Sequence, residues 1–454
     1  MSESVYVSAG PSIPDFIVLC NPENRRHKLF QAALARLGLP RAKVIAYEDF
    51  LSGKVELRSV LTEGCVVRIE SPGENFEVEK QLLALGGNAS CLEAPADRAR
   101  ATLPAGFREH KRPHSSGGMP AVPGKDALEL SFDKGRIRFL AQWFVGFRAA
   151  MNRVSEELCK FRAARVMNSP EAILGMFDKE GCHARLEAAG IPVPASLGPV
   201  SCFEEIHDRM TELGWSRVFI KPRYGSSASG VVAFARHANK MLAYSSVELA
   251  RREDEAKLYN SLKVRRYEDS EDIRVIVDDL CREQVHVERW IPKGSIGGAT
   301  FDLRVVVIGG EAAHRVVRTS SGPITNLHLG NKRGDVDMVR QRFGADKWEE
   351  MMRTCELAVA SLPPTHYAGI DVAIDSAFRR HVILEMNAFG DLLPNALHQG
   401  LDTYSAEIMA CLRSKAITSC PGRGDESRGN PSATEICVSD QIGRDSSPRP
   451  LELW

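Results

Sequence analysis

The sequence predicts an α/β fold that ends in a disordered tail. Two short apolar runs near the N-terminus, at 15–20 and 65–69, each lead through a polar loop into a helical pattern, which is how an α/β unit begins. From residue 217 onwards, runs with the alternation of strands predominate. Residues 414–454 have little apolar content, no hydrophobic period and many Pro, Gly and Ser residues, so we expect disorder there.

The composition is that of an ordinary globular protein. The chain has 454 residues, 43% hydrophobic and 26% charged, which at roughly 150 residues per domain suggests about three domains. The formal net charge is zero, so total charge gives no support for nucleic acid or an anionic membrane as a partner. The sequence contains neither a signal-peptide pattern nor an apolar run near the ~20 residues that span a bilayer. We therefore expect a cytoplasmic protein.

The eleven cysteines follow no pattern that predicts a disulfide framework or a zinc site. The sequence has no CxxC pair and no histidine at zinc-finger spacing. An odd, scattered set fits reduced thiols in a cytoplasm.

Polar residues follow the first two predicted strands. Ligands gather at the carboxyl ends of strands in open α/β sheets, so these residues could line a substrate site. Ordinary polar loops and helix caps are the alternative, and the sequence leaves both open. The residues are Asn21, Asn24, Arg25, Arg68, Glu70 and Asn75.

The middle of the chain begins with a loop and helices. Residues 104–125, rich in Pro, Gly, Ser and His, predict an exposed loop or a linker, and a helical pattern follows over 137–158. Ser169 and Pro170 predict the start of another helix, and Gly190 the end of the next. The predicted strands are RVFIK, GVVAFA, VHVERWI, FDLRVVVI, AHRVVR, GIDVAI and HVILEMN. Further helices are predicted at about 246–262, 345–361 and 397–413.

HVILEMN and GIDVAI place oxygen ligands on strands. Strand alternation puts Ile383, Glu385 and Asn387 on one face of HVILEMN, and Val382, Leu384 and Met386 on the other. In GIDVAI, Asp371 points away from the apolar residues. If the two strands pair antiparallel, Asp371 comes near Glu385 and Asn387, and this set of oxygens suits Mg²⁺. A solvated sheet face is the alternative for these residues.

Cations and a flexible loop accompany this set. Lys221 precedes the loop 224–230, whose small residues could fold over phosphates, although a hairpin turn is the alternative. The loop is not a P-loop, because GxxxxGK[ST] is absent. Arginines on rigid strands suit the charge of a transferring phosphoryl group, although each alone could be a surface ion-pair partner. The strand arginines are Arg304, Arg315 and Arg318.

These segments, taken in order over about 165–412, resemble the ATP-grasp superfamily, in particular its RimK-like and glutathione-synthetase-like carboxylate–amine ligases. The resemblance implies a pre-ATP-grasp domain over 1–160 on the substrate side, then a two-lobed ATP-grasp fold. Its N-lobe with the glycine-rich loop would cover 161–287, and its C-lobe with the metal site 288–413. Three departures stand out: Ile324 in place of an arginine, a long span between Gly230 and Glu288, and a final loop AFGDLLPN.

The resemblance also implies a role for each motif residue. In MFDK and in the glycine-rich loop, the implied phosphate-binding residues are Lys179, Lys221, Gly225, Ser226, Ser227 and Gly230. In VERWIP, Glu288 and Ile291 would hold adenine. Asp302 and Asn326 would contact the nucleotide, and Arg304 and Arg318 would neutralise an acyl phosphate. One or two Mg²⁺ ions would bind Asp371, Glu385 and Asn387.

The implied function is ATP-dependent ligation. A small-molecule or peptide carboxylate would be activated as an acyl phosphate and attacked by an amine or similar nucleophile, with release of ADP and phosphate; a homodimer is one possible assembly. The alternatives are a nucleotide-binding regulatory protein without turnover and a small-molecule kinase on the same fold. The missing HRD motif excludes a protein kinase, and no basic stripe with interleaved aromatics supports nucleic-acid binding.

Overall fold

The computed structural model describes residues 13–88, 120–161, 164–226, 228–238, 240–252, 255–389, 393 and 395–413. The predicted disordered tail, 414–454, and residues 104–119 of the predicted loop lie outside the described residues. Within the described ranges the chain has the predicted α/β fold, built on three sheets.

The N-terminal sheet is parallel, with strand order β2-β1-β3-β4. Alternate residues of β1 enter two different cores, as expected for a strand covered on both faces. The strands are β1 (Phe16–Cys20), β2 (Lys43–Ala46), β3 (Val66–Ile69) and β4 (Arg165–Val166), and the helices around them are α1 (Arg25–Arg36), α2 (Tyr47–Leu51), α3 (Phe76–Asn88), α4 (Gly124–Ala127) and α5 (Leu140–Cys159). The predicted strands and long helices of this part are confirmed.

Three helices lead into the second sheet: α6 (Pro170–Phe177), α7 (Lys179–Ala188) and α8 (Phe203–Glu212). Ser169 caps α6 by accepting a hydrogen bond from the Ala172 backbone N–H at 3.1 Å, with Pro170 in the first turn, as predicted. The antiparallel sheet has the order β8-β7-β6-β5-β9. Its elements are β5 (Arg217–Pro222), β6 (Val232–His237), β7 (Lys240–Arg252), β8 (Glu255–Tyr267), α9 (Ser270–Arg282) and β9 (Val285–Arg289).

The helix predicted at about 246–262 is wrong. The described residues of this segment, 246–252 and 255–262, lie in the strands β7 and β8, which α9 covers. Val247 and Leu258 from the two strands are buried in one core with Ile273 of α9. Helix-forming residues are a weak prior, and this apolar contact across the hairpin overrides it.

The third sheet is antiparallel, with the order β13-β12-β11-β14-β15 and β10 beside β11. Its elements are β10 (Ser295–Ile296), β11 (Ala299–Ile308), β12 (Glu311–Ser320), β13 (Lys332–Gly334), α10 (Val336–Phe343), α11 (Ala345–Ala360), β14 (Tyr367–Ile374), β15 (His381–Asn387) and α12 (Thr403–Arg413). The predicted pairing of GIDVAI with HVILEMN is confirmed, since β14 and β15 are antiparallel neighbours.

The predicted faces of HVILEMN need one correction. Asp371 pairs with Glu385, but the next residue, Val372, pairs with Ile383, so Leu384 is an extra residue in β15. This β-bulge puts Ile383 in the buried core together with Met386, rather than on the face of Glu385. Strict alternation along the strand cannot anticipate a bulge.

One apolar core extends from the N-terminal sheet to the third sheet. It contains Ile17 and Leu19 of β1, Ile173 of α6 and Phe301 of β11. The polar faces of β11 and β14 therefore turn away from it, towards the second sheet. No helix in the described ranges is long and apolar enough to cross a membrane.

Candidate active site

A cleft of about 780 Å³, including the space open to solvent at its mouth, lies between the second and third sheets. Most of the residues predicted for the site line it. They are Lys179, Lys221, Gly225, Ser226, Glu288, Ile291, Asp302, Arg318, Asn326, Asp371 and Glu385. Arg304, Gly230 and Asn387 are not among the lining residues, and Ser227 lies outside the described residues.

Each of the two predicted phosphate lysines pairs with a carboxylate in the cleft. Lys221 Nζ is 2.5 Å from Glu288 Oε1, and Lys179 Nζ is 3.1 Å from Glu385 Oε1. Lys179 also donates to the Gly225 carbonyl. The first pair joins neighbouring strands β5 and β9, whereas the second joins α7 to β15. The lysines are thus held by groups from both sheets.

Burial and the ion pairs set the pKa values of these carboxylates. Burial alone would raise the pKa of Glu288, but the Lys221 ammonium and His286 more than offset it and hold the pKa at about 2. In the same way, burial opposes ionisation of Glu385, yet Lys179 and Lys221 keep its pKa below the ordinary value. Both carboxylates are therefore anions at neutral pH.

Asp302 has three polar partners in the cleft. Arg318 Nε donates to its Oδ1 at 2.7 Å, the Thr325 hydroxyl donates to Oδ2, and Lys293 Nζ is 3.1 Å from Oδ2. Burial raises the pKa of Asp302, but the charges of Arg318 and Lys293 more than offset this and lower it. Lys293 and Thr325 line the cleft, and the sequence reasoning missed both. The lysine directly follows the VERWIP motif, which was the available signal.

Both predicted catalytic arginines contact Asp371. Arg304 Nε is 2.6 Å and Arg318 Nη2 is 3.0 Å from Asp371 Oδ1. Arg318 therefore bridges Asp302 and Asp371, and Arg304 contacts Asp371 without lining the cleft. Burial, together with the charges of Asp302 and Glu385, raises the pKa of Asp371 despite the two arginines. The arginines and the carboxylate form one cluster on the polar faces of β11, β12 and β14.

The predicted metal ligands lie on the paired strands β14 and β15. Asp371 and Glu385 occupy opposite positions of β14 and β15, and both line the cleft. Asn387 is two residues further along β15, where its amide nitrogen donates to the Gly369 carbonyl at 3.2 Å. Two carboxylates and an amide fit a Mg²⁺ ion that completes its shell with water and phosphate oxygens. In the described part of the chain, no cluster of three or more His, Cys, Asp or Glu side chains forms a metal site.

The glycine-rich loop is held at its far end by two serines. Ser245 Oγ donates to the Val231 carbonyl at 2.8 Å, and Ser246 Oγ donates to the Ala228 carbonyl at 2.6 Å. Gly230 has a φ of +70°, and a Cβ there would lie 2.6 Å from the Pro222 ring. Only glycine fits that position without displacing the strand that carries Lys221.

The polar residues predicted beside the N-terminal strands have mostly structural contacts. Asn24 and Asn75 accept hydrogen bonds from backbone N–H groups at the starts of α1 and α3. Arg68 is fully buried and pairs with Glu70 and with Glu407 of α12. Asn21 donates to the Pro72 carbonyl, and Arg25 is exposed.

Arg26, a residue that the sequence reasoning missed, joins the start of α1 to the chain just beyond β15. Arg26 Nη1 donates to the Phe389 carbonyl at 3.0 Å, just beyond the end of β15. The first turn of α1, which follows β1, therefore lies beside the end of β15. Arg26 directly follows Arg25 in the sequence. Residue type alone therefore could not show which of the two arginines makes this contact.

Comparison with known proteins gives one sequence match. Over 168 residues the chain is 30% identical to cyanophycin synthetase from Synechocystis sp. (strain ATCC 27184 / PCC 6803 / Kazusa). The aligned region covers 36% of this chain and 18% of that protein. The chain thus spans less than a fifth of the length of this curated relative. No family model matches the chain.

Solved structures of ATP-grasp ligases are similar over most of the chain. One is the ATP-grasp ligase PsnB complexed with a phosphomimetic variant of its minimal precursor, Mg and ADP: 16% identity, TM-score 0.45, covering 88% of this chain and 98% of that chain. Another similar solved structure is D-cycloserine synthetase DcsG, with 15% identity, a TM-score of 0.47, and coverage of 87% of this chain and 99% of that chain. Macrocyclase MdnC from Microcystis aeruginosa MRC, bound with precursor peptide MdnA, has 11% identity, a TM-score of 0.44, and coverage of 87% and 98%.

Proposed function

We propose that the chain is an ATP-dependent ligase that activates a carboxylate as an acyl phosphate for attack by an amine or similar nucleophile. One observation carries this proposal. The cleft between the two antiparallel sheets brings the lysines, arginines and carboxylates that the ATP-grasp resemblance implies into one set of contacts, from segments far apart in sequence. The local identity to a synthetase supports the same class.

We assign each residue of the cleft a role according to its position. Glu288 and Ile291, on and after β9, would receive the adenine, and Lys179, Lys221 and the glycine-rich loop would hold the α- and β-phosphates. Arg304 and Arg318 would neutralise charge on the phosphoryl group as it is transferred. No protein nucleophile is required, because phosphoryl transfer depends on positioning and electrostatics.

The proposed reaction has two steps. A carboxylate oxygen of the substrate forms a bond to the γ-phosphorus of ATP, the bond to the β-phosphate oxygen breaks, and ADP leaves. The nucleophile then attacks the acyl carbon, loses a proton and displaces phosphate. The proposed cofactors are ATP and one or two Mg²⁺ ions held by Asp371, Glu385 and Asn387. When bound, the metal supplies positive charge that offsets the charge of the phosphates.

The domain limits and partners are part of the same proposal. Residues 1–160 would supply the substrate side, 161–287 the N-lobe and 288–413 the C-lobe. The carboxylate would be a small molecule or a peptide. A cytoplasmic location and a homodimer remain predictions from the sequence.

The test is a screen for ADP release against pools of amino acids, peptides and carboxylates, each with amines, followed by mass spectrometry of the product. Addition of hydroxylamine to a positive pool should trap the acyl phosphate as a hydroxamate. A phosphorylated hydroxyl product with no hydroxamate would identify a kinase instead. ATP binding without ADP release in any pool would favour the regulatory protein.

A further inference from the structure

Asp178 and Arg223 join the two segments that carry the cleft lysines. Arg223 Nε donates to Asp178 Oδ1, and Arg223 Nη2 donates to Asp178 Oδ2, both at 2.6 Å. Arg223 Nη1 is also 2.5 Å from Glu180 Oε2. A two-bond pair between a planar guanidinium and a carboxylate fixes orientation as well as distance. Neither Asp178 nor Arg223 lines the cleft.

Asp178 also determines where α7 begins. Its side chain caps the helix by accepting a hydrogen bond from the Gly181 backbone N–H at 3.1 Å, and the first residue of the helix is Lys179. The same carboxylate therefore fixes both the start of the helix with Lys179 and the position of Arg223. A change in either contact would move the base of the Lys179 side chain.

In the sequence, Arg223 lies between Lys221 and the glycine-rich loop. Its backbone carbonyl accepts a hydrogen bond from the Lys179 backbone N–H at 3.2 Å, so main chain and side chains join at the same place. The next residue, Tyr224, stacks on Phe144 of α5 with ring centroids 4.1 Å apart and an interplanar angle of 11°. The near end of the loop is thus held between α7 and α5.

The Asp178–Arg223 pair is largely shielded from water, which suits a role in positioning other residues. Both side chains are about four-fifths buried, with exposed fractions of 16% for Arg223 and 20% for Asp178, so water competes weakly for the bonds. Burial lowers the pKa of Arg223, but the hydrogen bond and charge of Asp178 more than offset it and raise the pKa. The arginine is therefore charged throughout the accessible pH range.

We propose that Asp178 and Arg223 are positioning residues that set the separation of Lys179 and Lys221 and hold the base of the glycine-rich loop for the phosphates of a nucleotide. This inference rests on the proposed function. It assigns no contact with the nucleotide to either residue, because their bonds are to each other and to the α7 terminus. Their effect on binding is indirect and is confined to the phosphate end of the cleft.

The test compares ADP with adenosine in variants of Arg223. Arg223→Ala should weaken ADP binding at least about tenfold, since misplacement of binding groups by about 1 Å has effects of that size or larger. Adenosine affinity should stay within about twofold of the unmodified chain. Arg223→Lys keeps the charge but not the paired geometry, so its ADP affinity should be intermediate. Calorimetry measures ADP, and NMR titration measures adenosine.

Arg209→Ala is the matched control. Arg209 is similarly buried, pairs with Glu205 at 2.5 Å and donates to the Leu197 carbonyl, but it lies on α8 away from the lining of the cleft. The Arg209→Ala substitution should leave ADP affinity unchanged. If Arg223→Ala fails to fold, Arg223→Lys decides the question.

Two outcomes would overturn the inference: wild-type ADP affinity in folded Arg223→Ala or Arg223→Lys, or an equal loss of ADP and adenosine affinity. Failure of the proposed function is distinguishable, because it would appear in the unmodified chain, either as no ADP binding or as no ligated product and no hydroxamate in the substrate screen.

Discussion

Asp371 and Glu385 lie directly opposite each other on the antiparallel strands β14 and β15, and both face the cleft. Each is bound by cations from a different direction: Asp371 by Arg304 and Arg318, and Glu385 by Lys179. Two carboxylates at opposite positions repel each other unless cations lie near. A divalent metal between them would satisfy the same requirement.

Glu385→Gln should abolish ATP turnover while the protein still folds. The substitution removes a proposed metal ligand, and loss of several kcal/mol of charge stabilisation lowers the rate at least about a hundredfold. The amide keeps the size of the side chain and an oxygen that can accept from Lys179, so the protein should stay folded, with a modest fall in melting temperature from loss of the ion pair. ADP release and thermal unfolding are the measurements.

Glu349→Gln, at an exposed glutamate on α11, is the control for this variant and should turn over normally. Unchanged ADP release by Glu385→Gln would end the magnesium assignment.

Lys221→Met should weaken ATP binding and also destabilise the fold. It removes the partner of Glu288, and an unpaired buried carboxylate costs about 3–5 kcal/mol. The double variant Lys221→Met with Glu288→Gln should recover most of the free energy of unfolding, because neither charge remains. It should not recover ATP affinity, since the proposed phosphate contact is still missing.

Calorimetric titration and urea unfolding of both variants and of the unmodified chain separate these two effects. Wild-type ATP affinity in the double variant would remove Lys221 from the phosphate site.

Arg318→Lys should lower the rate of ADP release by about 100-fold to 1,000-fold, with little change in ATP affinity. A lysine cannot hold Asp302 and Asp371 together as Arg318 does, so the charge cluster would lose its geometry. Lys179, Lys221 and Glu288 keep their contacts in this variant. Steady-state kinetics and nucleotide titration measure the two quantities.

Arg315→Lys is the control, because Arg315 lies on the same strand but does not line the cleft. Equal losses in the two variants would argue for a general effect of β12 on stability.

Glu407 should make stability depend on pH between about 4.5 and 7. Burial raises its pKa to about 7 despite the pairing with Arg68. In the folded chain the carboxyl keeps its proton up to about pH 7, whereas in the unfolded chain it loses the proton above its ordinary value of 4.5. The stabilising effect is therefore complete below pH 4.5 and is lost as the pH rises to 7, by at most about 1.4 kcal/mol per pH unit.

Urea unfolding of the unmodified chain and of Glu407→Gln across this range tests the point. The difference between their free energies of unfolding should change in favour of the variant as the pH rises. A constant difference would show that Glu407 has an ordinary pKa in the fold.

Local alternation was enough to place many polar residues of the cleft. In β11 and β14 the apolar residues Leu303 and Ile370 enter the core, so Arg304 and Asp371 turn to the opposite face. The alternation of β5 predicts Lys221 in the same way. These placements follow from the period of two in a strand, which depends only on neighbouring residues.

Other features depend on neighbours that are far apart in sequence. The hairpin of β7 and β8 forms because its strands pack on α9, although the local residues favour a helix. The roles of Lys293 and Arg26 are visible only once Asp302 and Phe389 are next to them. No periodicity within a segment contains that information.

The sequence by itself determined the α/β class, the order of the motifs and most residues of the cleft, because apolar periodicity and residue chemistry are local properties. The tertiary structure decided which charges pair, where β15 bulges at Leu384, and that Asp178 and Arg223 join the two lysine-bearing segments. Those features depend on distances between side chains that the chain brings together only when its sheets and helices pack.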